Sequence, residues 1–391
     1  MTYLQLLRLP SVTRLLLGMV VGRLPTSMTA LALSLTLRDH GHDFGFIGAA
    51  VAVLTVSTAV GGPLLSRQVD RRGQGLVLVA AAATSLLAVI VVAALPDDRV
   101  VVLAGMGVAG LAVPPLEPCL RALWPALVPE RDVPRAYALD STAQEVIFAI
   151  GPGIVSVTVL IAPAAVALVL AGVLSMLGTL VFASSMPSRT WRGFPRQTGW
   201  RGPLRSPHLV LLLLGVAGTA IPVGGLSIVL VAYAEQEYVW GGASMLFLVL
   251  ALGALGGALA SGLVVWRAPV AVRLVVLNLA LVTAHLIAAT LPSVWLMAMI
   301  SFGAGVFLPP LLVVTFGLVD RLAPAGTVVE AFAWLATLFA VGYALGAGVA
   351  GSVLETHGTR FAAVTTALLG LAGGLVFAML RRAPVVSGVP A

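Results

Sequence analysis

The chain has 391 residues, with hydrophobic side chains at 60% of positions, charged ones at only 9%, and a mean hydropathy of +1.08. A soluble globular domain carries roughly a quarter charged residues, so this composition excludes one and places the chain in lipid. All 22 basic residues are arginine, and a chain without lysine cannot form the G-x-x-x-x-G-K-[ST] loop that would cradle and hydrolyse ATP.

Apolar runs of about twenty residues recur along the chain, each long enough for a hydrocarbon core roughly 30 Å thick. They are continuous where barrel strands would alternate, so they read as helices. Spans are predicted at 12–37, 44–66, 75–95, 99–122, 137–161, 163–186, 208–234, 242–265, 270–290, 293–318, 328–354 and 360–380. No small-residue cleavage site follows the first run, so it is expected to span and not to be removed as a leader. With the N-terminus inside, only Arg38, Arg99 and Arg360 face out, while clusters such as Arg67, Arg71, Arg72, Arg131, Arg135, Arg381 and Arg382 fall on the cytoplasmic side. The pI near 10.6 is therefore a topology signal and no sign of nucleic-acid binding. The expectation is a multi-pass protein of a plasma (inner) membrane with both termini cytoplasmic. The absence of lysine suggests a GC-rich genome and so a bacterial source. Thr327 followed by Glu330 has the form of a capping box opening the eleventh span, and Asp132 with Pro134 opens the fifth.

The chain repeats itself. Shifted by 195 positions, Gly110-Leu-Ala-Val-Pro114-Pro115-Leu116 falls on Gly305-Val-Phe-Leu-Pro309-Pro310-Leu311, and Gly151-Pro152-Gly153 on Gly346-Ala347-Gly348. The register holds over more than forty positions, so two copies of one unit are expected. Between them lies the polar stretch 187–207, with five Arg and two Trp. The predicted fold class is all-α integral membrane, twelve transmembrane helices in two pseudo-symmetric six-helix bundles. Residues 1–186 form the first bundle, 187–207 a cytoplasmic linker and 208–391 the second bundle. The single cysteine, Cys119, can form no intrachain disulfide and reads as a packing residue.

Between spans two and three, Ser66-Arg67-Gln68-Val69-Asp70-Arg71-Arg72-Gly73-Gln74 resembles G-x-x-x-D-R-x-G-R, the cytoplasmic signature of the major facilitator superfamily of secondary transporters. Ser66 replaces the leading Gly and Gln74 the trailing Arg. Six helices, a basic linker and six homologous helices are that family's layout, so the resemblance covers essentially the whole chain. It implies a cytoplasmic gate in which Asp70 meets the Thr327 end of span eleven, with Arg71, Arg72 and Gly73 beside it; a helix N-terminus favours an anion. The aligned positions in the other half are Val265 and Trp266, so the latch is expected to be one-sided. Phe148-Ala149-Ile150-Gly151-Pro152-Gly153 resembles the Gly-Pro element in the fifth helix of drug-exporting members, with Gly151 and Pro152 as its kink. The family's fourth-helix arginine signature is absent, Arg99 lying at the outer edge.

A charge inside a span costs roughly 2.5–3.5 kcal/mol on insertion scales, so each one needs a partner or a purpose. Arg23 lies roughly 16 Å into span one at about 1.5 Å per residue, and Glu145 roughly 12 Å into span five. With Glu117, Arg121 and Asp140 they are expected to form one ionic network, which the second copy replaces with apolar Leu312, Phe316, Leu335 and Ala340. Two readings stand side by side. In one, a carboxylate, Glu145 first and Glu117 second, carries a proton; in the other, a permanently ionised network braces spans one, four and five. His285 reads as a hydrogen-bonded packing residue.

Family layout puts spans one, four, seven and ten around a central cavity, which would be lined by Thr26, Met28, Pro114, Thr219, Ser227, Phe307, Pro309 and Thr315. So few polar groups suit a lipophilic or amphipathic solute better than a sugar. The reading is a monomeric, proton-coupled exporter of small lipophilic compounds that uses alternating access. It needs no cofactor or metal beyond a proton gradient, and its partners are a small-molecule solute and the lipid bilayer. An importer or facilitator of a small metabolite and a non-transporting regulator are the alternatives. No catalytic or metal-spaced cluster suggests an enzyme.

Overall fold

The structure, a computed structural model, describes residues 2–192, 202–264 and 268–380. Among them the ordered elements are all helical, and the candidate membrane spans number twelve. Of the sequence features, Val265, Trp266, Arg381, Arg382 and the middle of the 187–207 stretch lie outside the described residues.

A short helix, α1 (Tyr3–Leu7), is closed by a reciprocal cap between Thr2 and Gln5. Span one follows as two helices, α2 (Pro10–Arg23) and α3 (Pro25–Asp39), because Pro25 has no N–H to offer the carbonyl one turn back. Asp43 then caps α4 (Phe44–Arg72), and Gly73 separates it from α5 (Gln74–Ala94). Gly73 sits at φ +90°, a conformation side-chain-bearing residues rarely adopt, which accounts for the glycine of the signature.

Span four departs from expectation. Instead of one helix over 99–122 it forms α6 (Arg99–Leu111) and α7 (Leu116–Leu127), with Ala112–Pro115 unwound between them. Pro114, Pro115 and Pro118 lack the N–H groups that would close the turns onto Gly110, Leu111 and Pro114. The backbone substitutes tighter bonds, Val113 N to Gly110 O at 3.2 Å and Leu116 N to Pro114 O at 2.9 Å. In the second copy Pro118 is replaced by Val313, so only two donors are missing, and the helix runs through Pro309 and Pro310 unbroken.

The first half continues with α8 (Val133–Ile161), α9 (Ala164–Ala183) and α10 (Met186–Thr190). The second half comprises α11 (Pro207–Gln236), α12 (Gly242–Ser261), α13 (Val270–Ala288), α14 (Val294–Leu322), α15 (Val328–His357) and α16 (Thr359–Met379).

The chain divides into two compact units. Unit 1 holds Met1–Asp132, Ala143–Gly202 and Pro324–Trp334; unit 2 holds Val133–Thr142, Pro203–Ala323 and Leu335–Ala391. Each unit therefore contains the first turns of a long helix whose remainder belongs to the other.

Within each unit the repeat is visible as equivalent close contacts. In unit 1, α9 packs on α2 so closely that a methyl group on Gly178 would lie 2.6 Å from Gly18 O. In unit 2, α16 packs on α11 at the corresponding place, where a methyl on Gly373 would lie 2.8 Å from both Gly215 O and Thr219 N. Lipid-embedded helices gain no hydrophobic drive from each other, and close backbone approach at small residues supplies the attraction instead. Apolar cores fill the spaces between, one of them around Met28, Leu33, Ala167, Leu168 and Ala171 in unit 1.

Candidate functional site: an arginine–carboxylate triad and a helix-capping latch

The unwound stretch of span four determines where its charges sit. By starting α7 within the span, it puts Glu117 in a first helical turn, where the exposed N–H groups favour an anion. The kink of span one puts Arg23 in the last turn of α2, the end that favours a cation. The two meet: Arg23 Nη2 lies 2.5 Å from Glu117 Oε2. Arg121, one turn further along α7, pairs with the other oxygen of the same carboxylate. The remaining reach of Arg23 goes to α8, where its Nη1 donates to Gln144 Oε1.

These side chains are almost enclosed, at 14%, 12% and 5% exposure for Arg23, Glu117 and Arg121. A carboxylate gripped by two guanidiniums in such surroundings stays ionised, because protonating it would leave two buried cations without their counter-charge.

Of the five residues expected to form one network, Arg23, Glu117 and Arg121 meet, and the neutral Gln144 joins them. Arg23 does not reach Glu145; it takes the neighbouring Gln144, whose amide offers an acceptor from the face of α8 that meets the triad. Glu145 is half-buried and makes no ion pair or side-chain hydrogen bond among the described residues. Asp140 is buried in the part of α8 that belongs to unit 2. Gln144 escaped the sequence reading because only charged residues were sought inside the spans; its position one turn before Phe148 and next to Glu145 was the available signal.

The second assembly is in unit 1, at the start of α15. Asp70 Oδ1 accepts from Val329 N at 3.2 Å and Oδ2 from Glu330 N at 2.8 Å, so one carboxylate caps the first turn of a thirty-residue helix. Asp70 and Glu330 are buried. Two expectations are corrected here. Thr327 and Glu330 do not make a capping box: the Thr327 hydroxyl donates to Pro324 O at 2.7 Å, since the N–H it would have capped already belongs to Asp70. The cation beside the latch is Arg67, with Nε 3.8 Å from Glu330 Oε2, whereas Arg71 and Arg72 are exposed. One turn of α4 brings Arg67 to the same face as Asp70, while the residues that follow Asp70 turn outward. At the equivalent end of α8, Asp132 holds the N-cap position without a side-chain cap hydrogen bond, and its carboxylate lies 3.5 Å from Arg131.

Gly151 admits the Ser27 side chain against α8, where Ser27 Oγ donates to Ile147 O at 2.9 Å; Pro152 lies inside α8 without interrupting it. Among the residues expected to line a cavity, Thr26 is exposed, Ser227 and Phe307 are half-buried, and Pro114 and Pro309 are buried. Three are committed elsewhere. Met28 belongs to the apolar core of unit 1, Thr219 donates to Asn278 Oδ1 at 2.7 Å, and the fully buried Thr315 donates to Leu311 O at 2.9 Å. His285 is buried, with Nδ1 2.7 Å from Leu281 O.

The profile of the Major Facilitator Superfamily matches residues 15–329. The chain belongs to that family. As a member of this superfamily it is a membrane transporter, not an enzyme. No curated protein matches it in sequence. Solved structures share the superfamily fold. The chain is similar to the human organic anion transporter MFSD10 (TETRAN), at 17% identity and a TM-score of 0.75 over 94% of this chain and 99% of that one. It is also similar to a bacterial homologue of the iron transporter ferroportin in an outward-facing state, at 14% identity and a TM-score of 0.76 over 94% and 98%. The E. coli fucose:proton symporter follows at 14% identity and a TM-score of 0.68 over 96% and 99%. Identities this low carry the fold and leave the solute to be argued from the site.

Proposed function

We propose that this superfamily member exports small lipophilic or amphipathic compounds in exchange for protons by alternating access. The observation that carries the reading is the division of labour among the membrane carboxylates. Glu117 is held ionised by Arg23 and Arg121 and acts as a fixed brace. Glu145, half-buried and without an ion-pair partner among the described residues, can gain or lose a proton without stranding a buried cation. The bracing and proton-carrying readings of the sequence therefore apply to different residues.

A protonated Glu145 is neutral, and a span carrying it loses most of the cost of holding a charge in lipid. A proton entering from the outer side and leaving toward the arginine-rich side would then drive solute the other way. The few hydroxyls offered by Thr26 and Ser227, beside Phe307, favour a solute that needs little replacement of its hydration. The setting proposed is a bacterial plasma membrane, with a monomeric chain and both termini on the cytoplasmic side.

The test uses everted membrane vesicles and the amphipathic dye ethidium. An acid-inside gradient should drive dye into the vesicles, and collapsing the gradient should release it. Accumulation that ignores the gradient, or dye movement only in the opposite direction, would contradict proton-coupled export.

A further inference from the structure

Unit 1 carries guanidinium groups, apart from the triad and the latch, that no carboxylate answers. Arg8, Arg14 and Arg189 are exposed, and none of them forms an ion pair among the described residues. Arg14 is nevertheless held in place. Its Nη2 donates to Ser184 Oγ at 2.8 Å, and that hydroxyl spends its own proton on Val181 O at 3.1 Å. Ser184 is the C-cap residue of α9, the end of a helix that favours a cation. Thr13 donates through Oγ1 to Leu7 O and so folds the end of α1, with Arg8, onto the first turns of α2. Arg189 follows Ser184 by five residues in α10, which packs on α9.

An apolar face begins one turn further along. Leu17 of α2 is 57% exposed, and Leu177 and Val181 of α9 are 51% and 41% exposed. All three lie within candidate membrane spans, while Ser184 is the first residue past the end of one. Arg14 and Leu17 are three residues apart, and Leu177, Val181 and Ser184 are four and three apart, so each set forms one stripe along its helix. The Arg14–Ser184 bond sets the two stripes side by side. Between them the helices meet at Gly18 and Gly178, which have no side chains to fill the seam. The result is an exposed two-helix apolar face with a fixed cation at its end.

Packing does not require that cation. Gly215 and Gly373 make the same close contact in unit 2, yet the residue four before Gly215 is Leu211 and the residue six beyond Gly373 is Met379, where unit 1 has Arg14 and Ser184. We infer that the face in unit 1 is a binding site for an anionic phospholipid. The phosphate sits on the Arg14 guanidinium, with Arg8 and Arg189 adding attraction, and an acyl chain lies along Leu17, Leu177 and Val181. A guanidinium matches phosphate oxygens with paired N–H donors, and basic side chains at a membrane surface draw anionic headgroups. A free phosphate would leave the apolar face unused, and a lipid without net charge would leave the cations unanswered. The site lies wholly in unit 1 and is independent of the solute and of proton coupling.

The test equilibrates the full chain in detergent with equal amounts of phosphatidylglycerol and phosphatidylethanolamine and counts the retained lipids by native mass spectrometry. The native chain should retain phosphatidylglycerol in preference. Arg14→Gln should lower the ratio of the two lipids about fivefold, the effect of one basic residue near an anionic surface. Val181→Trp, at an exposed position, should lower phosphatidylglycerol retention with every arginine in place, because the indole fills the seam. Arg99→Gln, which removes a guanidinium paired with Asp43 at the N-terminal end of α6, should leave the ratio as in the native chain. If Arg14→Gln keeps the native ratio, or Arg99→Gln lowers it as much, the inference fails. If Val181→Trp retains phosphatidylglycerol like the native chain while Arg14→Gln does not, surface charge alone draws the lipid, and the proposed site is equally refuted.

Discussion

Replacing Asp70 by Asn tests the latch with almost no change in shape. The carboxylate now accepts from Val329 N at 3.2 Å and Glu330 N at 2.8 Å, inside a buried contact. An amide at that position retains one acceptor oxygen, loses the charge that complements the helix end, and turns an NH2 group toward one of the two backbone donors. Removing a helix cap costs typically ~1 kcal/mol, and charge at a partly buried helix end contributes up to ~2 kcal/mol. A loss of about 1–2 kcal/mol corresponds to a factor of roughly 5–30 in the equilibrium between fastened and released forms. Hydrogen–deuterium exchange reads this directly, since the amides of Val329 and Glu330 are the donors. The peptide spanning them should exchange faster by that factor in Asp70→Asn, while Arg71→Gln, at an exposed position, should exchange like the native chain. Unchanged exchange in Asp70→Asn would refute the claim that this carboxylate holds the end of α15.

Three further outcomes are expected. Glu117→Gln should destabilise the folded chain by about 3–5 kcal/mol, because it leaves Arg23 and Arg121 buried without their shared carboxylate; thermal unfolding in detergent checks this, and a shift of a degree or less would count against the brace. Gly178→Ala should cost about 1–3 kcal/mol, since its methyl would collide with the α2 backbone at Gly18 and Gly22, while Gly62→Ala, with nothing within 4 Å, should be tolerated; equal melting temperatures would deny the close approach. Asp43, at the N-terminal end of α4, has its pKa held below the usual carboxylate value first by the Phe46 N–H and also by the neighbouring Arg99. A depressed pKa means the cap is ionised above it and is lost as pH falls through it. Chemical-shift titration of Asp43 should find its midpoint below 3.8, and a midpoint above that would contradict the capping geometry.

The legible parts of this protein were those written in apolar length and in repetition. Twelve runs of sufficient length became twelve candidate spans among the described residues, and the matched glycines of the two copies became matched helix contacts. The break in span four was legible in principle. Pro114-Pro115-x-x-Pro118 removes three donors where Pro309-Pro310-x-x-Val313 removes two, and treating the shared Pro-Pro as shared architecture hid that difference. The triad was half legible: buried charges announced themselves, but Gln144 is neutral and Glu145 sits one residue along the same helix, so charge alone chose the wrong neighbour for Arg23. The latch chemistry was least legible. Backbone N–H groups supply the key bonds at Val329 and Glu330, and backbone groups are common to every residue. Thr327 had the right spacing for a cap, yet a side chain from another part of the chain had taken the donor.

In the proposed cycle Glu145 carries the coupled proton while Glu117 stays ionised. Purified chain in proteoliposomes, native or Glu145→Gln, separates coupling from movement when ethidium flux is measured with and without a pH gradient. Glu145→Gln should retain dye exchange at equal pH on both sides and lose accumulation against a concentration gradient. Proton-driven accumulation at the native rate in Glu145→Gln would contradict it.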